Sequence, residues 1–133
     1  MIVVDASIAL AWALQEREHA HVTAALQRAA EQGGFVPGNF QTEVAHALLQ
    51  AERKKRLTAA DVAEALGYIL DLPLAVQMPS PYSVVAIARE YGLAGYDAAY
   101  LALAIQSQLP LATIDPSLAA AAKAAKCAWK PKG

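Results

Sequence analysis

Short apolar runs recur along this chain, and stretches with helical periodicity separate them. Ile2-Val3-Val4 is short and β-branched, which predicts a strand buried on both faces. Asp5-Ala6-Ser7 ends it, and Ile8 to Leu14 continues as a helix that Ser7 can cap. Glu18 to Gln32 sets Val22, Ala25, Leu26 and Ala29 on one helical face, and Gly33-Gly34 stops it. Phe35-Val36-Pro37 predicts a second strand. Asn39 or Gln41-Thr42 then opens a helix to about Arg56, with Val44, Ala47, Leu48 and Ala51 as its stripe. Thr58-Ala59-Ala60-Asp61 starts the next helix, to about Leu70, with a near capping box that makes Asp61 structural.

Leu72 to Val76 reads as an edge or third strand with its proline near the start. Ser80-Pro81 caps a helix through Tyr91, with Val84, Val85, Ile87 and Ala88 inward. After Gly92 and Gly95, Tyr96 to about Gln108 forms a nearly all-apolar helix with little polar face, so it should be buried on most sides. Pro110 to Ile114 is a further buried strand, and Asp115-Pro116-Ser117 turns into a helix over Leu118 to Ala125. Lys126 to Trp129 reads as a last strand, and 130–133 as a loose tail. Strands alternating with helices predict an α/β fold with a mostly parallel sheet of four to five short strands. Without repeat, linker or composition shift, residues 1–133 read as one domain.

Composition narrows the function classes. Hydrophobic residues make up 56% of the 133, enough for a core and too many for a disordered chain. The net charge of −1 excludes a polycation, so nucleic-acid binding would need a local basic patch. Arg53-Lys54-Lys55-Arg56 is the candidate patch, with Lys130 and Lys132 behind it. The same four cations also suit the negative end of a helix dipole. The one cysteine, Cys127, reads as a small buried hydrophobe and fits a reducing compartment. The first residues lack the basic region of a signal peptide, and no apolar run reaches the roughly 18 residues of a membrane span. A cytoplasmic location is expected.

Asp5 and Asp115 each follow a strand, while Glu43 and Asp97 each fall in the first turn of a helix entered from the same side. Three of them have a local explanation, whereas Asp5 is not obviously needed as a cap beside Ser7. Asp97 and Asp115 can cap their helices, and Glu43 favours the positive end of a helix dipole. In an open α/β sheet, however, all four would share the rim beyond the strand carboxyl ends, where ligands bind. Converging carboxylates need a cation or must take up protons. Oxygen ligands without cysteine or histidine point to Mg²⁺ or Mn²⁺, and such a metal suits phosphodiester hydrolysis.

The order and spacing of these segments resemble the PIN-domain family, and most closely its small toxins of the VapC type. Val3-Val4-Asp5-Ala6-Ser7 is similar to the opening strand with its aspartate and hydroxyl, and Glu43-Val44-Ala45 to the second acid. Tyr96-Asp97-Ala98-Ala99-Tyr100-Leu101-Ala102-Leu103-Ala104 is similar to the third and most specific segment. Leu111-Ala112-Thr113-Ile114-Asp115 is similar to the closing strand with its threonine and final acid. The resemblance implies a three-layer α/β/α fold and a metal-dependent endoribonuclease directed at structured RNA such as transfer RNA. It implies Asp5, Glu43, Asp97 and Asp115 as metal-binding acids, with Ser7 and Thr113 in support. Where many relatives carry an asparagine one turn after the glutamate, this chain has His46, which either idles on the helix face or holds the site or RNA. The resemblance also implies an antitoxin partner and a homodimer. Trp12 and Tyr82 are candidates for apolar patches that a dimer would cover, and Trp12 equally for ordinary core packing. A catalytically silent binding module of the same fold is the alternative. A phosphotransfer receiver domain is disfavoured, because Asp5 stands alone after its strand and no lysine follows Thr113 until Lys123.

Overall fold

A computed structural model describes residues 1–14 and 19–131. The proposed helix start at Glu18 and the tail residue Lys132 lie outside them. The strands are β1 (Ile2–Val4), β2 (Gly34–Val36), β3 (Leu74–Val76) and β4 (Leu111–Ala112). The helices are α1 (Ala6–Ala13), α2 (Ala20–Gln32), α3 (Phe40–Arg53), α4 (Ala59–Asp71), α5 (Pro81–Tyr91), α6 (Gly95–Ser107) and α7 (Pro116–Ala124). The sheet is entirely parallel, in the order β3-β2-β1-β4. A helix pair therefore separates each pair of consecutive strands.

Strand alternation divides the core in two. Val3 faces one cluster, with Val44, Leu48, Tyr100, Leu101, Leu103 and Leu118. Ile2 and Val4 face the other, with Ile8, Val22, Leu26 and Ala29. Helices thus cover both faces, and α6 is buried continuously from Ala98 to Ala104. Its alanines let α6 lie close against the sheet, as its nearly unbroken apolar sequence predicts.

Some expectations shift. The Lys126–Trp129 strand reduces to a single bridge, Ala128 beside Leu111. The Lys126 backbone is left-handed at φ 62°, so the chain turns just before it can pair further. On α5 no residue is fully buried, and Val85 is exposed rather than inward. This helix packs on α6 from outside. The helix ending in the basic cluster stops at Arg53, so Lys54, Lys55 and Arg56 form the turn after it. Trp12 is half-buried and stacks on Tyr68 at 4.1 Å between ring centres. Among the described residues no helix is long and apolar enough to cross a membrane.

The chain runs from β1 outward to β2 and β3, then returns to place β4 on the other side of β1. The crevice between β1 and β4 is thus the switch point where open parallel sheets hold ligands. Asp5 follows β1 directly, and Thr113 follows β4 directly.

Candidate active site

Asp5, and not Ser7 as expected, is the N-cap of α1. The strand ends at Val4 and the helix begins at Ala6, so the one residue between them must cap. Ser7 falls in the first turn. Its backbone N–H donates to Asp5 Oδ1 at 3.1 Å, and its hydroxyl donates to the same oxygen at 2.5 Å. Across the switch point the Thr113 hydroxyl donates to Asp5 Oδ2 at 2.8 Å. Ser7 Oγ accepts from the Ile114 N–H at 3.1 Å, which ties the start of α1 to the end of β4. Ser7 and Thr113 therefore orient Asp5 from both sides.

The other three acids have different local duties. Asp115 caps α7, accepting the Leu118 N–H on Oδ2 at 2.9 Å. That capping role leaves Oδ1 for other partners. Asp97 does not cap α6: the N-cap is Ala94, and Asp97 is the third helical residue. The Gly95 start, two residues earlier than Asp97, removes capping as the explanation for its charge. Glu43 lies in the first turn of α3, and the Tyr100 hydroxyl donates to its Oε2. Tyr100 was not singled out from the sequence as a site residue. The signal was there, since it sits three residues after Asp97, on the same helix face, with the one polar tip in an apolar run. Asn39 was considered only as a helix start. Its amide nitrogen is buried without a hydrogen-bond partner among the described residues, yet it lies near enough to Glu43 to favour that carboxylate's charged form.

Electrostatics link all four acids. Asp5 is only 4% exposed, and this burial pushes its pKa up to about 6. The Ser7 and Thr113 hydroxyls oppose that rise, and the Asp115 charge adds to it. Burial raises Glu43, with a further push from Asp97 and opposition from Tyr100 and Asn39. Burial also raises Asp97, and Asp115 raises it further. Repulsion thus runs from Asp5 to Asp115 to Asp97 to Glu43. The group is looser than a preassembled metal cluster. Among the described residues, no three Asp, Glu, His or Cys side chains meet at ligating range.

A carboxyl group with a raised pKa favours the folded state most when protonated. For Asp5 that contribution is full below the unfolded value near 3.8 and is lost as pH rises through about 6. Asp5→Asn removes the buried charge and keeps the shape. It is expected to raise thermal stability at pH 7 by about 1–3 kcal/mol, with the gap to wild type closing by pH 4. Melting curves across that range check this. A gap that widens toward low pH refutes it.

The remaining candidates lie elsewhere. His46 is exposed, one turn after Glu43 on α3. Arg53, Lys54, Lys55 and Arg56 are exposed at the far end of α3. Arg53 is about 15 Å along the axis from Glu43, at 1.5 Å per residue. Cys127 is half-buried, and burial pushes its thiol pKa up, as suits a packing residue.

The PIN-domain family model matches residues 2–124, a span that includes all four acids and both supporting hydroxyls. The chain belongs to the PIN-domain family. A crystal structure of PAE2754 from Pyrobaculum aerophilum superposes with a TM-score of 0.75 at 27% identity, over 96% of this chain and 87% of that one. No curated protein matches the chain significantly. PIN domains are generally nucleases, so the family places the acids of this fold in a hydrolase setting.

Proposed function

We propose that this PIN domain is a metal-dependent endoribonuclease, a toxin of the VapC type acting on structured RNA such as transfer RNA. The observation that carries this reading is the electrostatic coupling of Asp5, Glu43, Asp97 and Asp115 at the β1/β4 switch point. Asp115 repels Asp5 and Asp97, and Asp97 repels Glu43, and a cation between them would relieve that repulsion. Their donor set is all hard oxygen, which fits Mg²⁺ or Mn²⁺. Glu43 and Asp115 each commit one oxygen to a protein donor and keep the other.

Asp5 and Asp97 would hold the metal most directly, with Glu43 and Asp115 completing the set or acting through water. The ion, when bound, supplies a more acidic water and neutralises charge at phosphorus. Ser7 and Thr113 fix the Asp5 carboxylate so that both its oxygens face known directions. The Asn39 amide nitrogen, buried beside Glu43, favours that carboxylate's charged form. Tyr100 holds Glu43 in place and, with its own pKa far above the ordinary phenol range, stays a proton donor to it. His46 lies on the same helix face within reach of a bound strand.

An antitoxin and a second copy of the chain are the partners this reading expects. Tyr82, 89% exposed, marks an apolar surface on α5 together with Val85. The basic turn Arg53–Arg56 would meet RNA only where the strand extends well beyond the acids. Neutralising it should flatten the salt dependence of RNA binding.

The direct test is cleavage of total cellular RNA by purified protein with Mg²⁺, Mn²⁺ or EDTA. Discrete products with either metal and none with EDTA are expected, and their ends would name the substrate. RNA that is bound but never cut would overturn the enzymatic reading in favour of a silent binding module.

A further inference from the structure

A second recess opens beside β4, where the 127–129 segment pairs with its outer edge. It is a crevice of about 300 Å³, and Thr113, Ala119, Lys123, Trp129, Lys130 and His21 define its character. The 128–130 segment forms one wall. The Leu111 N–H donates to the Cys127 carbonyl at 2.7 Å, and the Trp129 N–H donates to the Leu111 carbonyl at 2.9 Å. These bonds hold the indole in a fixed position. His21, at the start of α2, meets it edge-on at 5.3 Å between ring centres. Burial and the neighbouring His19 hold the His21 imidazole below its ordinary pKa, so it faces the crevice as a neutral ring. Lys123 and Lys130 stand exposed at the mouth.

The lining is apolar within and cationic at the rim, and no acid is part of it. That chemistry rejects a metal ion and suits a molecule with a flat apolar body and an anionic end. Position selects among such molecules. Thr113 belongs both to this crevice and to the switch point, where its hydroxyl binds Asp5. The acids repel a phosphate backbone, so a strand brought to them needs cations close by. The Arg53–Arg56 turn is too distant to serve at the cleavage point itself.

We propose that this crevice is a nucleotide subsite. It takes one nucleotide of a single-stranded RNA segment next to the bond presented to the acids. The base enters between Ala119 and the Trp129–His21 pair, and its phosphate lies between Lys123 and Lys130. The proposal rests on the nuclease reading and adds to it the anchor for the substrate. Neither the motif pattern nor the family match assigns a role to His21, Lys123 or Trp129.

The test is binding of a fluorescein-labelled RNA hexanucleotide, read by anisotropy with Ca²⁺ present. Lys123→Ala/Lys130→Ala should weaken binding at least fivefold and lower the salt slope by roughly 1–2. Ala119→Leu fills the crevice without changing charge, and should weaken binding at least threefold with an unaltered slope. Circular dichroism checks that both variants are folded. Wild-type affinity in either variant overturns the subsite, as does failure of the wild-type chain to bind. Cleavage in Mg²⁺ or Mn²⁺ separates the two readings. No cleavage of total cellular RNA in either metal, with the hexanucleotide still bound through this crevice, supports the subsite and removes the nuclease. Cleavage with unchanged affinity in the variants does the reverse.

Discussion

Asp97→Asn is expected to reduce metal-dependent RNA cleavage by more than about 100-fold, since even the outer partners of a metal site cost 10–100-fold when lost. The substitution keeps shape and removes one charge. Asp97 caps nothing, because α6 begins at Gly95 behind an extended Ala94. Its burial is partial, and Asp115 repels it. Removing its charge should therefore leave the melting temperature unchanged or slightly raised. Initial rates on RNA with Mn²⁺, paired with a melting curve, check both halves. Wild-type cleavage by a folded Asp97→Asn protein would sink the assignment of the site. A protein that loses activity only because it unfolds would show it in the melting curve.

The second large effect concerns stability. Gly34→Ala is expected to destabilise the fold by about 3 kcal/mol, near the upper end for overpacking. Gly34 pairs with Ile2 in the parallel register of β1 and β2. A Cβ built on it would lie 2.0 Å from the Ile2 carbonyl oxygen and 3.1 Å from its carbonyl carbon. Those are backbone atoms of the central strand, so nothing flexible can give way. The melting temperature should fall by about 10 °C or more. Gly67→Ala is the internal contrast. Gly67 sits within α4 with nothing within 4 Å of its added Cβ, so the change should stabilise by about 0.5–1 kcal/mol. Denaturant titration of both variants decides it. Equal stabilities would overturn the close approach of β1 and β2 at Gly34.

Much of the fold was legible because it is written in short-range patterns. The spacing of Val22, Ala25, Leu26 and Ala29 places α2 against the sheet wherever that sheet lies. Thr58 and Asp61 form their capping box from neighbours alone. The unbroken apolar run after Asp97 made α6 the buried helix, and it is. Pro116 after Asp115 marked the start of α7, with Asp115 as its cap. The acids were legible as candidates too, because each stands where a strand or helix changes over.

The sequence by itself thus determined most of the elements and the α/β class, and it marked the acids that are candidates for a site. Tertiary structure alone decided which acids are spoken for and how strongly they interact. Capping is a matter of which residue stays extended, and that followed from β1 ending at Val4 and α6 starting at Gly95. Gly33-Gly34 looked like a helix stop, but Gly34 is required by a strand 32 positions away. The Tyr100–Glu43 bond and the Thr113–Asp5 bond join residues 57 and 108 apart. The rise of the Asp5 pKa to about 6 comes first from burial, which belongs to the packed whole. Periodicity acts over a few residues and survives in any context, whereas desolvation and close approach exist only after distant segments have been brought together.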